Sequence, residues 1–321
     1  QNMTSLTFAV SRALAQTWQP GDEIIVSRLD HDANITPWVR AAEEREVTVR
    51  WIDFLPEDGC RLDWAALESA LTGQTKLVAI THASNAVGTV VDVGRVVEAA
   101  HSVGAKVFVD AVHYTPHGAV DVQGLECDFL VASAYKFFGP HIGFLYGRHE
   151  LLATLDAYKV RPAPSDPPGK WETGTQSFES LAGVTEAIDY LASLSAGETA
   201  GSRRTALRSG MAVIGAYERT LSEAFLAAAA ERDYLRVYGP GISNRTPTFA
   251  VAVDGLTADQ VQLRLGEQGI FVWSGHYYAV EVMQRLGVLD SGGLVRIGFV
   301  HYNTPAELTR LLAAFDDLAE A

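Results

Sequence analysis

The chain has 321 residues, 48% of them apolar and 20% charged, with 25 Lys+Arg against 39 Asp+Glu and a formal net charge of −14. This composition suits a globular core rather than disorder, and the acidity argues against a nucleic-acid or anionic-membrane partner. Cys60 and Cys127 form no CxxC pair, which excludes a zinc ribbon, a dithiol redox centre and a disulfide framework; no apolar run of about 18 residues or leader-like opening is present, so a cytoplasmic protein is expected.

Taken in chain order, apolar runs rich in β-branched residues predict strands at Glu23–Ser27, Val47–Ile52, Lys76–Thr81, Lys106–Asp110, Phe129–Ala132 and Ile142–Tyr146. Helical periodicity fits Thr4–Trp18, Pro37–Glu44, Trp64–Leu71, Val93–His101 and Phe178–Leu191. Such alternation predicts an α/β fold, a mostly parallel central sheet with helices on both faces. The Pro-rich segment Arg161–Gly169 reads as a loop, one that could lie over a site. A long helical run over Arg203–Arg232 then leads into a different pattern. Strands Leu235–Tyr238, Thr248–Val253, Ile270–Trp273 and Leu294–Val300 surround a helix at Thr257–Gly266. A last helix is capped by Thr304, with Pro305 and Glu307 in its first turn. The expected organisation is a large domain over 1–197, followed by a linker helix and a smaller C-terminal α+β domain over 198–321.

Ligands of open parallel sheets sit beyond the carboxyl ends of the strands. Four predicted strands deliver His31, Asn85, Asp110 and Lys136 to one edge. The set suits pyridoxal 5'-phosphate, which needs a lysine for a covalent imine and an acid to keep its pyridine nitrogen protonated. Asp110 and Lys136 are one strand–helix–strand step apart. Tyr135, Phe137 and Phe138 flank the lysine, and desolvation there favours the nucleophilic amine. Backbone N–H groups at Met3 and Thr4, opening the first helix, could hold a phosphate. No G-x-G-x-x-G follows the first strand, which speaks against a dinucleotide site. The His113–His117 pair, interrupted by Pro116, makes a poor metal site, and no metal is expected.

Three stretches carry a family resemblance. They are His31-Asp32-Ala33-Asn34-Ile35-Thr36-Pro37-Trp38, Ser84-Asn85-Ala86-Val87-Gly88-Thr89, and the run from Val109-Asp110-Ala111-Val112-His113 through Ser133-Ala134-Tyr135-Lys136-Phe137-Phe138-Gly139. With Glu172-Thr173-Gly174-Thr175, they resemble the class V aminotransferase-fold enzymes, closest to the cysteine desulfurase and selenocysteine lyase branch. The resemblance implies fold type I of the pyridoxal-phosphate-dependent transferases and a small amino-acid substrate. It assigns Lys136 as the lysine bonded to the cofactor and Asp110 as the partner of the pyridine nitrogen. His31 would stack on the ring and shuttle protons, with Asn85 and His113 near the ring hydroxyl. Ser133 and Tyr135 would lie near the phosphate, and Thr175 would reach the phosphate of a neighbouring subunit, implying a homodimer with shared sites. Arg296, Asn34 and Tyr278 are the expected substrate contacts, with Arg296 on the carboxylate.

Two departures from the family pattern matter. Tyr278, in Trp273-Ser274-Gly275-His276-Tyr277-Tyr278-Ala279, stands about where a desulfurase carries its sulfur-accepting cysteine, and neither Cys60 nor Cys127 is placed for that task. The chain also opens at the phosphate-binding segment: either it is a fragment, or the N-terminal segment that precedes it in the family is missing. The expected activity is a β-eliminating carbon–sulfur lyase acting on a cysteine-like amino acid, with His31 or Tyr278 as acid. Transamination, epimerisation, or desulfuration with another acceptor are the alternatives, and a non-enzymatic scaffold is the reading from a different class.

Overall fold

The computed structural model describes residues 2–195 and 201–320. The N-terminal part contains strands β1 (Glu23–Ser27), β2 (Thr48–Ile52), β3 (Phe54–Leu55), β4 (Arg61–Leu62), β5 (Thr75–Thr81), β6 (Lys106–Asp110), β7 (Phe129–Ser133) and β8 (Gly143–Gly147). Its helices are α1 (Met3–Ala15), α2 (Thr36–Glu43), α3 (Trp64–Ala70), α4 (Val93–Ser102), α5 (Val122–Leu125), α6 (His149–Thr154) and α7 (Phe178–Ser193). A six-stranded sheet runs in the order β2-β1-β5-β6-β7-β8. All its pairings are parallel except β7 with β8, while β3 and β4 form a separate hairpin.

The apolar runs cover both faces of this sheet because successive side chains point to opposite sides. Ile24, Val26, Leu77, Ala79, Phe108 and Phe129 pack with Val10 and Leu14 of α1 and with Trp38 of α2. Ile25, Val78, Ile80, Val107 and Val109 pack with Leu67 of α3 and with Val93, Val96 and Val97 of α4. A helical layer on each face, as the periodicity predicts, follows from this split. The chain leaves β1 to one side for β2 and to the other for β5, so the topological switch falls between β1 and β5.

The long helix α8 (Arg203–Ala230) ties this layer to a second sheet. Met211 and Ile214 of α8 pack near Val184, Ala187 and Leu191 of α7. Leu221, Phe225 and Ala229, further along α8, pack against the second sheet. That sheet comprises β9 (Leu235–Tyr238), β10 (Thr248–Val253), β11 (Trp273–Gly275) and β12 (Leu294–Gly298), in the antiparallel order β11-β12-β10-β9. Helices α9 (Ala258–Glu267), α10 (Val280–Arg285) and α11 (Pro305–Glu320) complete the chain. The domain boundary expected at 197/198 lies outside the described residues.

The sequence pattern misplaces two strand limits. Residues 270–272 are not strand, because the Ile270 amide closes the end of α9 by bonding to the Leu265 carbonyl; the strand starts at Trp273. Strand β12 stops at Gly298, where the Phe299 amide turns to the Pro247 carbonyl and the Val300 amide to Asn303 Oδ1. Among the described residues no helix is long and apolar enough to cross a membrane.

Candidate active site

A cavity of about 590 Å³ opens at the carboxyl edge of the large sheet, around the switch point. The ends of β5, β6 and β7 supply Thr81, Asp110 and Ser133 to its wall, and the segments just beyond β1, β5 and β7 supply His31, Asn85 and Lys136. Met3 and Thr4 open α1 on another side, and Arg296 of β12 reaches in from the second sheet. Of the thirteen expected site residues, this cavity gathers eleven. Asn34 and Thr175 stand outside it.

Asn34 requires a correction. It is fully buried beneath the site, its amide donating to Asp30 Oδ1 at 2.6 Å and its Oδ1 accepting from Trp38 Nε1 at 3.0 Å. Both ends of the side chain are committed, so it braces the turn after β1 and contacts no substrate. Thr175 is exposed and away from its own chain's cavity. The Pro-rich stretch 161–169 is a loop, yet none of it lines the cavity.

The floor is electrostatically uneven. Lys136 is held by the short 3-10 turn Ala134–Phe137 that follows β7, its Nζ 5.1 Å from the centre of the Tyr135 ring. Burial lowers its pKa from 10.5; the Arg296 guanidinium adds to the effect and Asp110 opposes it. Asp110 is pushed up to about 6 by burial, opposed by the Val112 amide that donates to its Oδ1 at 2.9 Å and by Lys136. Behind it lies Asp30, which burial raises well above the carboxylate range and whose Oδ2 has no partner. His31 Nδ1 accepts the Ala33 amide at 3.0 Å, while burial and then Lys136 lower the ring to about 4. The neutral imidazole therefore carries its proton on Nε2 at neutral pH, and it is a weak acid in that state. His113 is deeply buried and held neutral chiefly by that burial, its Nε2 within 2.9 Å of Thr248 Oγ1.

The lip is made by the segment after β11. Tyr277 and Tyr278 both adopt positive φ, 52° and 58°, a costly conformation for aromatic residues. Two bonds tether them to the floor, and a third ties the neighbouring strand β12 to it. Asn85 Nδ2 donates to the Tyr277 carbonyl at 2.9 Å, the Asp32 amide to the Tyr278 carbonyl at 2.7 Å, and Arg296 Nη1 to the Asn85 carbonyl at 3.1 Å. The Tyr277 ring lies beneath the Arg296 guanidinium at 4.9 Å, and the Tyr278 ring stacks on His31 at 5.5 Å and 16°. Ion pairs Arg28–Glu281 and Arg285–Asp53 hold α10, directly after the lip, against the large sheet's loops.

Asp30 and Phe8 escape the sequence reading, and of the loop Trp273–Tyr278, where substrate-choosing residues are expected, it singles out only Tyr278. Asp30 sits in the polar run after β1, but nothing in the run separates it from Asp32. Phe8 reads as an ordinary helix residue. Trp273 and Tyr277 join the site only through the register of β11 with β12 and the tight turn that follows. At the other side, His113 and His117 approach edge to face but meet Thr248 and Glu218 rather than each other. Among the described residues, no three His, Cys, Asp or Glu side chains cluster to hold a metal.

The cavity fits pyridoxal phosphate on its own terms. Gly143 brings its backbone so close to Asn2–Met3 that a Cβ would lie 2.4 Å from the Met3 nitrogen, which seats the start of α1 beside Ser133 at the end of β7. The amides of Met3 and Thr4 have no partner among the described hydrogen bonds, making an anion site for a phosphate ester. Among the described residues Asn85 Oδ1 is buried without a donor, suiting a ring hydroxyl. Asp110 would supply the carboxylate for a protonated ring nitrogen, and Lys136 the amine.

A parallel sheet with this lysine and carboxylate at its switch-point edge defines fold type I of the pyridoxal-phosphate-dependent enzymes. The Aminotransferase class-V family model matches residues 1–311, and the chain belongs to that family. It is a cysteine desulfurase-like enzyme dependent on pyridoxal phosphate. It is 35% identical over 309 residues to a cysteine desulfurase of Dickeya dadantii, covering 92% of this chain and 70% of that protein. It is 33% identical over 310 residues to a probable cysteine desulfurase of Halobacterium salinarum, covering 93% and 70%. The apo cysteine desulfurase from Thermococcus onnurineus superposes with a TM-score of 0.88 at 27% identity, over 99% of this chain and 78% of that one. The cysteine desulfurase CsdA from Escherichia coli gives 0.87 at 27% identity, over 99% and 77%.

Proposed function

We propose that this enzyme is a β-eliminating carbon–sulfur lyase acting on a cysteine-like amino acid. The carrying observation is the position of the thiols. Cys60 and Cys127 are buried, neither lines the cavity, and burial pushes both thiols up to about 11. Tyr278 occupies the lip over His31 instead. A thiol so protonated and enclosed is a poor sulfur acceptor, so the sulfur leaves as a thiol or sulfide.

When bound, the cofactor supplies an electron sink for the substrate α-carbon. Lys136 would hold it, with the first amides of α1 and Ser133 on its phosphate, Tyr135 close by, His31 against its ring, and Asn85 and His113 at its hydroxyl. Arg296 binds the substrate carboxylate; its fork suits two parallel bonds. The desolvated Lys136 amine would take the α-proton. The ammonium so formed would then protonate the departing sulfur, since His31 is neutral at pH 7 and a poor donor. Asp110 keeps a proton on the ring nitrogen. A homodimer, with Thr175 serving the neighbouring site, and a cytoplasmic location belong to the same reading.

The test is the carbon product from L-cysteine and L-cystine with the loaded enzyme. Pyruvate, lost in Lys136→Ala, is expected. Alanine in its place overturns the reading in favour of desulfuration.

A further inference from the structure

The lip contains more aromatic surface than cysteine could cover. Trp273 is 61% exposed and Tyr278 65% exposed, although both line the cavity. Phe8 and Pro37 continue the same wall. Large aromatics left open at the mouth of a polar site commonly mark where a ligand's apolar part rests.

Their placement relative to the chemistry is fixed by two independent features. In the β11–β12 ladder Trp273 is directly opposite Arg296. Directly paired antiparallel residues project to the same side of a sheet, with Cβ atoms about 5 Å apart. Trp273 is therefore the immediate neighbour of the group that takes the substrate carboxylate. Tyr278 is fixed on the opposite flank by its stack on His31 and by the bond from the Asp32 amide to its carbonyl. Arg296 and Lys136 line the same cavity as these rings, so a β-substituent that extends toward its mouth meets Trp273 and Tyr278.

We infer that the sulfur of the substrate carries an aromatic substituent, so that the site takes S-aryl cysteine conjugates in preference to cysteine. The inference rests on the lyase reading above. The reaction breaks the Cβ–S bond, and the thiolate leaves with the bonding pair and is protonated. With one water, R–S–CH₂–CH(NH₃⁺)–COO⁻ gives R–SH, pyruvate and ammonium. No oxidant, reductant or sulfur-accepting cysteine is required, which accords with the burial of Cys60 and Cys127.

The experiment compares S-phenyl-L-cysteine with S-methyl-L-cysteine on the loaded enzyme, following pyruvate and released thiol. Hydrophobic pockets discriminate by about tenfold or more for modest differences in group size. The phenyl compound is expected to have a kcat/KM at least about tenfold higher. Trp273→Ala should cut that ratio at least about fivefold, mainly through the KM of the phenyl compound, and Trp273→Phe should restore most of it. Sedimentation of each variant supplies the second readout. A wild-type ratio near one overturns the inference. So does an unchanged ratio in Trp273→Ala, particularly with altered association, which would make the lip a contact between copies of the chain. Pyruvate from cysteine or cystine without this preference leaves the lyase reading standing alone, whereas alanine from cysteine defeats that reading and this inference with it.

Discussion

Asp110, Ser133, Lys136 and His31 stand at or just past strand ends of one parallel sheet, enclosed by core on both of its faces. Trp273, Tyr277 and Tyr278 stand on an edge strand and the turn after it, two of the three exposed and two at positive φ. On the proposed reading, the first region would set how the cofactor is held and the α-proton moved, and the second what β-substituent may enter. The positions of the first follow from buried backbone pairing; the second is held by two hydrogen bonds and two ion pairs, and can vary without disturbing the sheet.

The largest expected effect lies in the floor. Lys136→Ala should lower product formation by about 10³-fold or more, since the same amine takes the α-proton and returns one to the leaving group. Residual turnover within about tenfold of wild type, measured as pyruvate release, would place the proton transfer on another residue and dissolve the contrast between floor and lip.

How legible each region is in the sequence follows from the same difference. A strand ending in Val109-Asp110 or Ala132-Ser133 announces itself by its β-branched run, and its polar terminus is then a position with a known address in the fold. His31 and Lys136 follow within four residues of such ends. Asn34 lies in the same run as His31 and looks equally available, but a side chain's direction depends on the 3-10 turn Asp32–Asn34, which points its amide down to Asp30. The lip has no such periodicity. Its strand is three residues long, and its placement comes from register with β12 and from two left-handed tyrosines that no local propensity favours. The resemblance locates Tyr278 by analogy, but nothing in the sequence shows Trp273 beside Arg296.

Next in size, Arg296→Lys should raise KM by about 10- to 100-fold with a smaller change in kcat. Lysine keeps the charge but loses the fork, and the bond to the Asn85 carbonyl that ties β12 to the floor. A change confined to kcat would mean that Arg296 acts on the reaction rather than on the carboxylate.

Asp110 offers a test without turnover. Its folded pKa of about 6 exceeds the ordinary 3.8, so the cofactor-free protein is not penalised below about pH 4 and loses stability as pH rises through 6. The full cost of the buried charge is of order 3 kcal/mol. Cofactor-free Asp110→Asn should therefore be more stable than wild type at pH 8 by an amount of that order, and the gap should close by pH 4 in chemical denaturation. The cofactor-loaded pair should show the opposite order at pH 8, because only the carboxylate can hold a protonated ring nitrogen. A gap that does not change with pH would show that Asp110 titrates alike in the folded and unfolded chain, so that burial does not raise its pKa.

The smallest effect concerns the tether of the lip. Arg285 and Asp53 are each substantially exposed, and their 2.8 Å pair joins α10 to the loop after β2. Exposed pairs contribute little, about 0–1 kcal/mol, so Arg285→Ala should leave the unfolding midpoint nearly unchanged. What it should change is the lip, since α10 begins two residues after Tyr278. Faster amide exchange is expected at Asp32, whose donor bond to Tyr278 reports the closed turn, with no change at Val112, whose bond to Asp110 belongs to the floor. Equal acceleration at both amides would mean that floor and lip open as one unit, and the division of labour between them would have no independent structural basis.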